Sequence, residues 1–397
     1  MRSSVAQRVS TGPEVLRQRD FSDLQGQSLG LVCNQASICS DYRHAIDLFL
    51  SSGLDLKAVF GPQHGLFGHT QDNMIEWEGR SDPRTGLKLF SLYGEHRKPT
   101  TEMLEGIERL VIDLQDVGAR YYTFIWTMLL CLEACSERGI PATVLDRPNP
   151  IGSAQIEGPI LDMQFASFVG LKPLPIRHGM TIGELARLFA LHLPNLDLQV
   201  IACEGLRRSD YWAETGYPWV MPSPNMPTPD TAIVYPGGCL LEGTNLSEGR
   251  GTTKPFEMLG APFICGRELA ETLNGLALDG CHFRPVEFQP TSNKWAGELC
   301  GGIHVHVLDR HAFRPVLTYI AILQQIREHA GDQMEWRLGP YEYEFVKRPI
   351  DVIAGNGWLA KSIDELAPLD HIAQRLEDGL VEFGKGREGV LLYPRFG

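Results

Sequence analysis

The chain has no surplus of positive charge: its 36 lysines and arginines are outnumbered by 49 acidic residues, for a net charge of −13. That balance argues against nucleic acid and against an anionic membrane surface, both of which call for a cationic face. No apolar run is long enough to span a bilayer. The opening MRSSVAQRVSTGPEVLRQRDF holds no apolar core of the signal-peptide kind. Nine cysteines are present, an odd number, scattered and with no CxxC pair. Such usage fits a reducing compartment better than a disulfide framework, so a cytoplasmic protein is expected. Three chemical motifs are also missing from the settings in which they would act. No GxGxxG follows a strand in the first, Rossmann-like unit, so dinucleotide binding is unsupported. GRGTTKP at 249–255 lacks the P-loop order, and the absence of a GxSxG elbow between a strand and a helix counts against an α/β-hydrolase.

What is present reads as a globular α/β protein. With 397 residues, 43% hydrophobic and 21% charged, the chain is long enough for two domains. Apolar runs at 28–33, 56–60, 88–92, 109–114 and 142–145 have the form of buried strands. Helical patterns fall between them at 44–52, at 101–107 behind a Thr100 cap, and at 123–138 before Gly139. This alternation predicts a Rossmann-like parallel sheet with right-handed crossovers. Cys131 and Cys135, one turn apart on the third helix, read as small buried hydrophobes. Thr181 and Glu184 form a capping box opening a helix to residue 191. Four prolines at 222–229 predict a rigid wall or strap. From about residue 261 a smaller α+β unit follows, its last helix at 371–389. The division is placed at 1–238 and 239–397.

The stretch 56–79, LKAVFGPQHGLFGHTQDNMIEWEG, organises the rest. It runs from a strand into a glycine-punctuated polar loop, and in open α/β sheets ligands sit outside the carboxyl ends of the strands. Other strand and loop ends repeat the pattern. The clusters are Gln63, His64 and Asp72; Asp113, Gln115, Asp116 and Arg120; Asp146, Arg147 and Asn149; His178 and Glu184; and Glu242, Asn245, Glu248 and Arg250. Asn34 follows the first strand, and Asn225 lies among the prolines. Each cluster alone is compatible with capping or bracing. Together they describe one cleft of carboxylates, amides and guanidinium groups, with Tyr93, Tyr121, Tyr122, Trp126 and Trp219 as faces for sugar rings. Such a cleft suits polyhydroxylated substrates, and glycoside hydrolysis generally employs two carboxyl groups. His304 and His306 share one face of a strand but lack a third ligand, so no metal site is expected.

The ordered blocks FGPQHG, SLYGEHRKPT, DLQDVGARYYTFIWTM, VLDRPNPIG, EGPIL, IRHGMTIGEL, MPSPNMPT and EGTNLSEGRGTTKPFE resemble the peptidoglycan exo-β-N-acetylmuramidases of the NamZ type. The resemblance runs from about residue 30 to the end of the chain. It implies a catalytic Rossmann-like N-terminal domain, a smaller C-terminal domain and a cleft between them. It also implies release of N-acetylmuramic acid (MurNAc) from non-reducing ends, without a metal or organic cofactor. The family motif reads FGPEHG, its glutamate being the catalytic acid, and Gln63 stands at that position. Glutamine cannot donate a proton as an acid. Asp72, Glu76, Glu95, Asp116, Glu184 and Glu248 are the carboxyl groups weighed for the role. The leading expectation places Gln63, His64, Asp116 and Glu248 in the catalytic centre, with Arg120 in the cleft. The alternatives are a muropeptide- or sugar-binding protein without turnover, or a transferase or other hydrolase clamping a related acidic sugar through Arg120, Arg147 or Arg250.

Overall fold

A computed structural model describes residues 9–70, 74–76 and 79–394. Its central sheet contains β1 (Ser28–Cys33), β2 (Asp55–Gly61), β3 (Arg80–Ser81), β4 (Lys88–Ser91), β5 (Arg109–Asp113) and β6 (Ala142–Leu145). A hairpin of β7 (Glu157–Ile160) and β8 (Pro175–Arg177) stands apart, and β9 (Leu198–Ile201) completes the sheet. The order is β3-β4-β2-β1-β5-β6-β9, with only β3 antiparallel. Apart from β3, this is the doubly wound Rossmann order, with its switch point between β1 and β5.

Helices α1 (Gly12–Gln18) and α2 (Ala45–Ser51) cover one face of this sheet; α3 (Phe124–Arg138) and α4 (Ile182–Ala190) cover the other. Strand alternation explains the two layers. Leu29, Leu31 and Cys33 point to the α1/α2 side, while Val32 joins Phe60, Leu110 and Ile112 beneath α3. Cys131 and Cys135 are buried in the α3 layer. The Thr181–Glu184 capping box is present at the start of α4.

After a short helix, α5 (Trp212–Thr215), the proline segment crosses the strand ends. Asn34 donates to the Pro222 carbonyl and Gln35 to that of Met221, both at 2.9 Å. Pro229 then opens α6 (Pro229–Gly238). The second unit holds an antiparallel sheet of β10 (Met258–Ala261), β12 (Cys300–Val307) and β11 (Cys281–Phe288), in that order, backed by α7 (Gly266–Gly275) and α8 (Pro315–Ala330). Helix α6 packs on α8 so closely that a Cβ on Gly237 would lie 2.1 Å from the Pro315 carbonyl oxygen. One apolar cluster therefore runs from beneath the main sheet into the second unit without a break.

Three elements differ from expectation. Residues 101–106 form turns rather than a helix, ending at Gly106 with φ +74°; so short a segment yields few helical hydrogen bonds to offset nucleation. The last helix is split into Leu369–Leu376 and Leu380–Arg387 by Gly379, whose φ of +79° breaks the ladder. Strand β9 lies at a sheet edge and is only half-buried, which is why its sequence shows no apolar run.

Candidate active site

Strand β2 delivers the first functional side chains. Pro62 cannot continue the ladder, and His64 adopts φ +69°. His64 Nδ1 lies 2.8 Å from the Thr70 carbonyl oxygen. A carbonyl only accepts, so Nδ1 carries the proton and Nε2 is the basic ring nitrogen. The loop after β5 supplies the opposite wall. Its turn depends on Gly118, at φ +88°, where a Cβ would meet Asn149 Oδ1 at 2.5 Å. Asp116 accepts from the Gly118 amide at 2.8 Å, and the chain is thereby led to Tyr121, Tyr122 and Thr123. Thr123 Oγ1 donates to Gln63 Oε1 at 2.6 Å, fixing which end of the amide faces inward. Gln63 Nε2 then donates to Glu342 Oε1 at 3.0 Å and lies 3.1 Å from the Tyr93 hydroxyl.

Glu342 comes from the far end of the chain. Tyr341 and Glu344 exchange backbone hydrogen bonds of 2.9 Å, so Glu342 and Tyr343 form the tip of a two-residue turn. Both tip residues have positive φ, +47° and +63°, as in a type I′ turn. Neither is glycine, so the turn is strained, at a cost on the order of 1–3 kcal/mol per residue. Its surroundings hold it: Tyr341 donates to Glu242 Oε2 at 2.8 Å, and the Tyr343 ring meets Tyr93 edge-on beneath the Arg97 guanidinium. Tyr93 donates to Glu342 Oε2 at 2.7 Å. Burial pushes the Glu342 carboxyl up to about 7; Glu242 adds to the rise, while the bonds from Tyr93 and Gln63 and the Arg250 charge oppose it.

Arg250 bridges two carboxylates, through Nη2 to Glu242 Oε1 at 2.6 Å and through Nε to Glu248 Oε1 at 3.1 Å. Lys294 holds the other Glu248 oxygen at 2.8 Å and donates to the carbonyls of Leu241, Thr244 and Leu246. Burial opposes ionisation of Glu248, but Lys294 and Arg250 hold its pKa below the usual glutamate value. These groups surround two adjoining cavities. The inner is lined by Gln63, His64, Tyr121, Tyr122, Asn225 and Phe256, among others. The outer is lined by Glu248, Lys294 and Arg337. Glu242, Arg250, Tyr341 and Glu342 border both.

Among the described residues, the others singled out in the sequence lie outside these linings, and most act as braces. Arg147 is bidentate to Asp113, at 2.6 and 3.0 Å, behind the strand ends. Asp146 accepts from Thr181 and from the Gly183 amide, and burial pushes its carboxyl up to about 6. Asn149 ties Met180 to Ile151, and Glu184 pairs with Arg208 at 2.6 Å. Asp116 faces His178 at 3.1 Å. Arg120 is fully buried and donates to the carbonyls of Pro159, Leu174 and Ile353. Asn34 belongs to the strap contact, and Asn245 pins the 333–335 backbone. Glu76 accepts from Tyr343, whereas Glu95 is exposed. Asp72 lies outside the described residues. Arg284 reaches both His304 and His306, and among the described residues no group of three or more His, Cys, Asp or Glu side chains could hold a metal.

Glu342 was not among the candidates read from the sequence. Its only local sign is the run YEYEF at 341–345, a carboxyl group between tyrosines after Gly-Pro.

Fold and cavity together define a doubly wound α/β protein with a buried, carboxyl-lined site at its strand ends, closed by a second unit. Comparison with known proteins makes this specific. Residues 29–230 match the model for the N-terminal part of exo-β-N-acetylmuramidase NamZ, and residues 233–393 match that for its C-terminal part. The chain belongs to this family. It is 43% identical over 389 residues to the peptidoglycan β-N-acetylmuramidase NamZ of Bacillus subtilis, covering 97% of this chain and 92% of the other. Two crystal structures of DUF1343 family proteins from Bacteroides fragilis are also similar. One superposes with a TM-score of 0.87 at 30% identity, covering 97% of this chain and 99% of the other. The second gives 0.76 at 28% identity, covering 98% and 99%.

Proposed function

We propose that the protein is a glycoside hydrolase that releases MurNAc from the non-reducing end of peptidoglycan fragments. The B. subtilis relative, named as a peptidoglycan β-N-acetylmuramidase, supports the substrate class. The observation that carries the reading is the paired cavity. An inner space walled by tyrosines and phenylalanine suits one sugar ring, and the outer space suits the remainder of the fragment. Carboxyl groups stand on the shared wall, where the bond between the two would lie. In this reading Gln63, His64, Tyr121, Asn225, Glu242 and Arg250 contact the sugar, and Glu248 positions Arg250. Asn34, Asp116, Arg120, Asp146, Arg147, Asn149, His178, Glu184 and Asn245 hold the loops. Residues 1–238 carry most of the inner wall, and 239–397 close it. Nine free thiols support a cytoplasmic setting, with recycled muropeptides as substrates.

The test is turnover of a chromogenic β-MurNAc glycoside by the purified protein, beside the N-acetylglucosamine analogue that lacks the lactyl group. Selective hydrolysis of the first is expected. Silence towards both, or a preference for the analogue, would refute the assignment.

A further inference from the structure

We infer that Glu342 is the proton donor to the leaving sugar oxygen, and that Gln63 is its positioning residue. The inference rests on the hydrolase reading above and assigns the step to a residue. Three observations support it. Glu342 borders both cavities, so it flanks the place where a glycosidic oxygen joining an inner sugar to an outer one must sit. Its two carboxyl oxygens are held separately, one by Gln63 and one by Tyr93, and Gln63 is itself locked by Thr123. Its backbone is kept in a strained turn, and strain of this kind persists only where the surroundings enforce it.

The amide at position 63 has a defined part in this arrangement. It supplies an N–H to Glu342 Oε1 and cannot take up the acid proton itself. A carboxyl group in the same place, 3.0 Å away, would compete for that proton as a coupled pair. With glutamine there, the proton belongs to Glu342 alone. In the reaction the Glu342 O–H passes its proton to the glycosidic oxygen while the bond from that oxygen to the anomeric carbon breaks. The bonding pair leaves with the aglycone, which departs as an alcohol. Water supplies hydroxyl to the anomeric carbon, and its remaining proton restores Glu342, directly or through solvent. The closed site also favours a neutral carboxyl near pH 7, as a general acid requires.

The experiment compares wild type, Glu342→Gln and Glu342→Asp on two β-MurNAc substrates, one with a nitrophenolate leaving group and one with a sugar. Nitrophenolate leaves without protonation, whereas a sugar alkoxide does not. For Glu342→Gln, kcat on the sugar substrate is expected to fall about 10²–10⁴-fold with little change in KM, while the nitrophenyl substrate loses less than about tenfold. The alkaline limb of the wild-type kcat/KM profile should vanish in Glu342→Gln. Glu342→Asp should retain part of the sugar-substrate activity and keep that limb, an outcome a packing role would not give. Equal losses on both substrates, or an unchanged alkaline limb in Glu342→Gln, would overturn the assignment while leaving the hydrolase reading intact. A wild type silent on both substrates would refute the hydrolase reading, and this step with it.

Discussion

Replacing Glu342 by glutamine should make the protein more stable at neutral and alkaline pH, even as it impairs the reaction. The folded state raises this carboxyl from 4.5 to about 7, chiefly by burial. The native protein therefore binds the proton more tightly than the unfolded chain does. Stability is greatest below the unfolded value and declines as pH rises, with the loss complete just above 7. A difference of roughly 2.5 pK units corresponds to about 3 kcal/mol, a large fraction of the usual margin of a folded domain. Glutamine is neutral throughout and can still accept from Gln63, so the variant escapes this penalty. Urea denaturation of both proteins at pH 5 and pH 8 isolates the effect, because every other titrating group cancels in the comparison. The variant should gain on wild type by a few kcal/mol between the two conditions. Parallel behaviour at both pH values would mean that Glu342 is not held neutral by the fold.

Tyr93→Phe removes the hydroxyl that donates to the Glu342 carboxylate, so the alkaline limb of kcat/KM should move up by about one unit; a limb that stays or moves down contradicts this. Arg250→Met strips a shared cation from Glu242 and Glu248 and should destabilise by ~3–5 kcal/mol in chemical denaturation. Gly118→Ala forces a side chain into left-handed backbone and against Asn149, so a loss of at least ~1–2 kcal/mol is expected by the same measurement. An unchanged midpoint would refute either stability prediction.

The sheet was legible because buried parallel strands are written as apolar runs. Leu110, Val111 and Ile112 are all buried on β5, as their sequence implies. Where a strand is half-solvated, as at β9, the pattern fades. Of the residues in the motif blocks, Gln63, His64 and Glu242 line the inner cavity. The same blocks also flagged Arg147, Arg120 and Glu184, which face Asp113, backbone carbonyls and Arg208. Composition alone cannot separate a charge turned to a cavity from one turned to an internal partner, since both need polar neighbours. Glu342 escaped for a different reason. It meets Gln63 across 279 positions of sequence, and only tertiary folding brings the two together.

The most direct measurement is the first product formed from a tetrasaccharide of alternating MurNAc and N-acetylglucosamine with MurNAc at its non-reducing end. Mass spectrometry at early times should show free MurNAc and the matching trisaccharide, as a site holding one sugar requires. Disaccharides as the first products, or an intact tetrasaccharide after long incubation, would contradict an exo-acting muramidase.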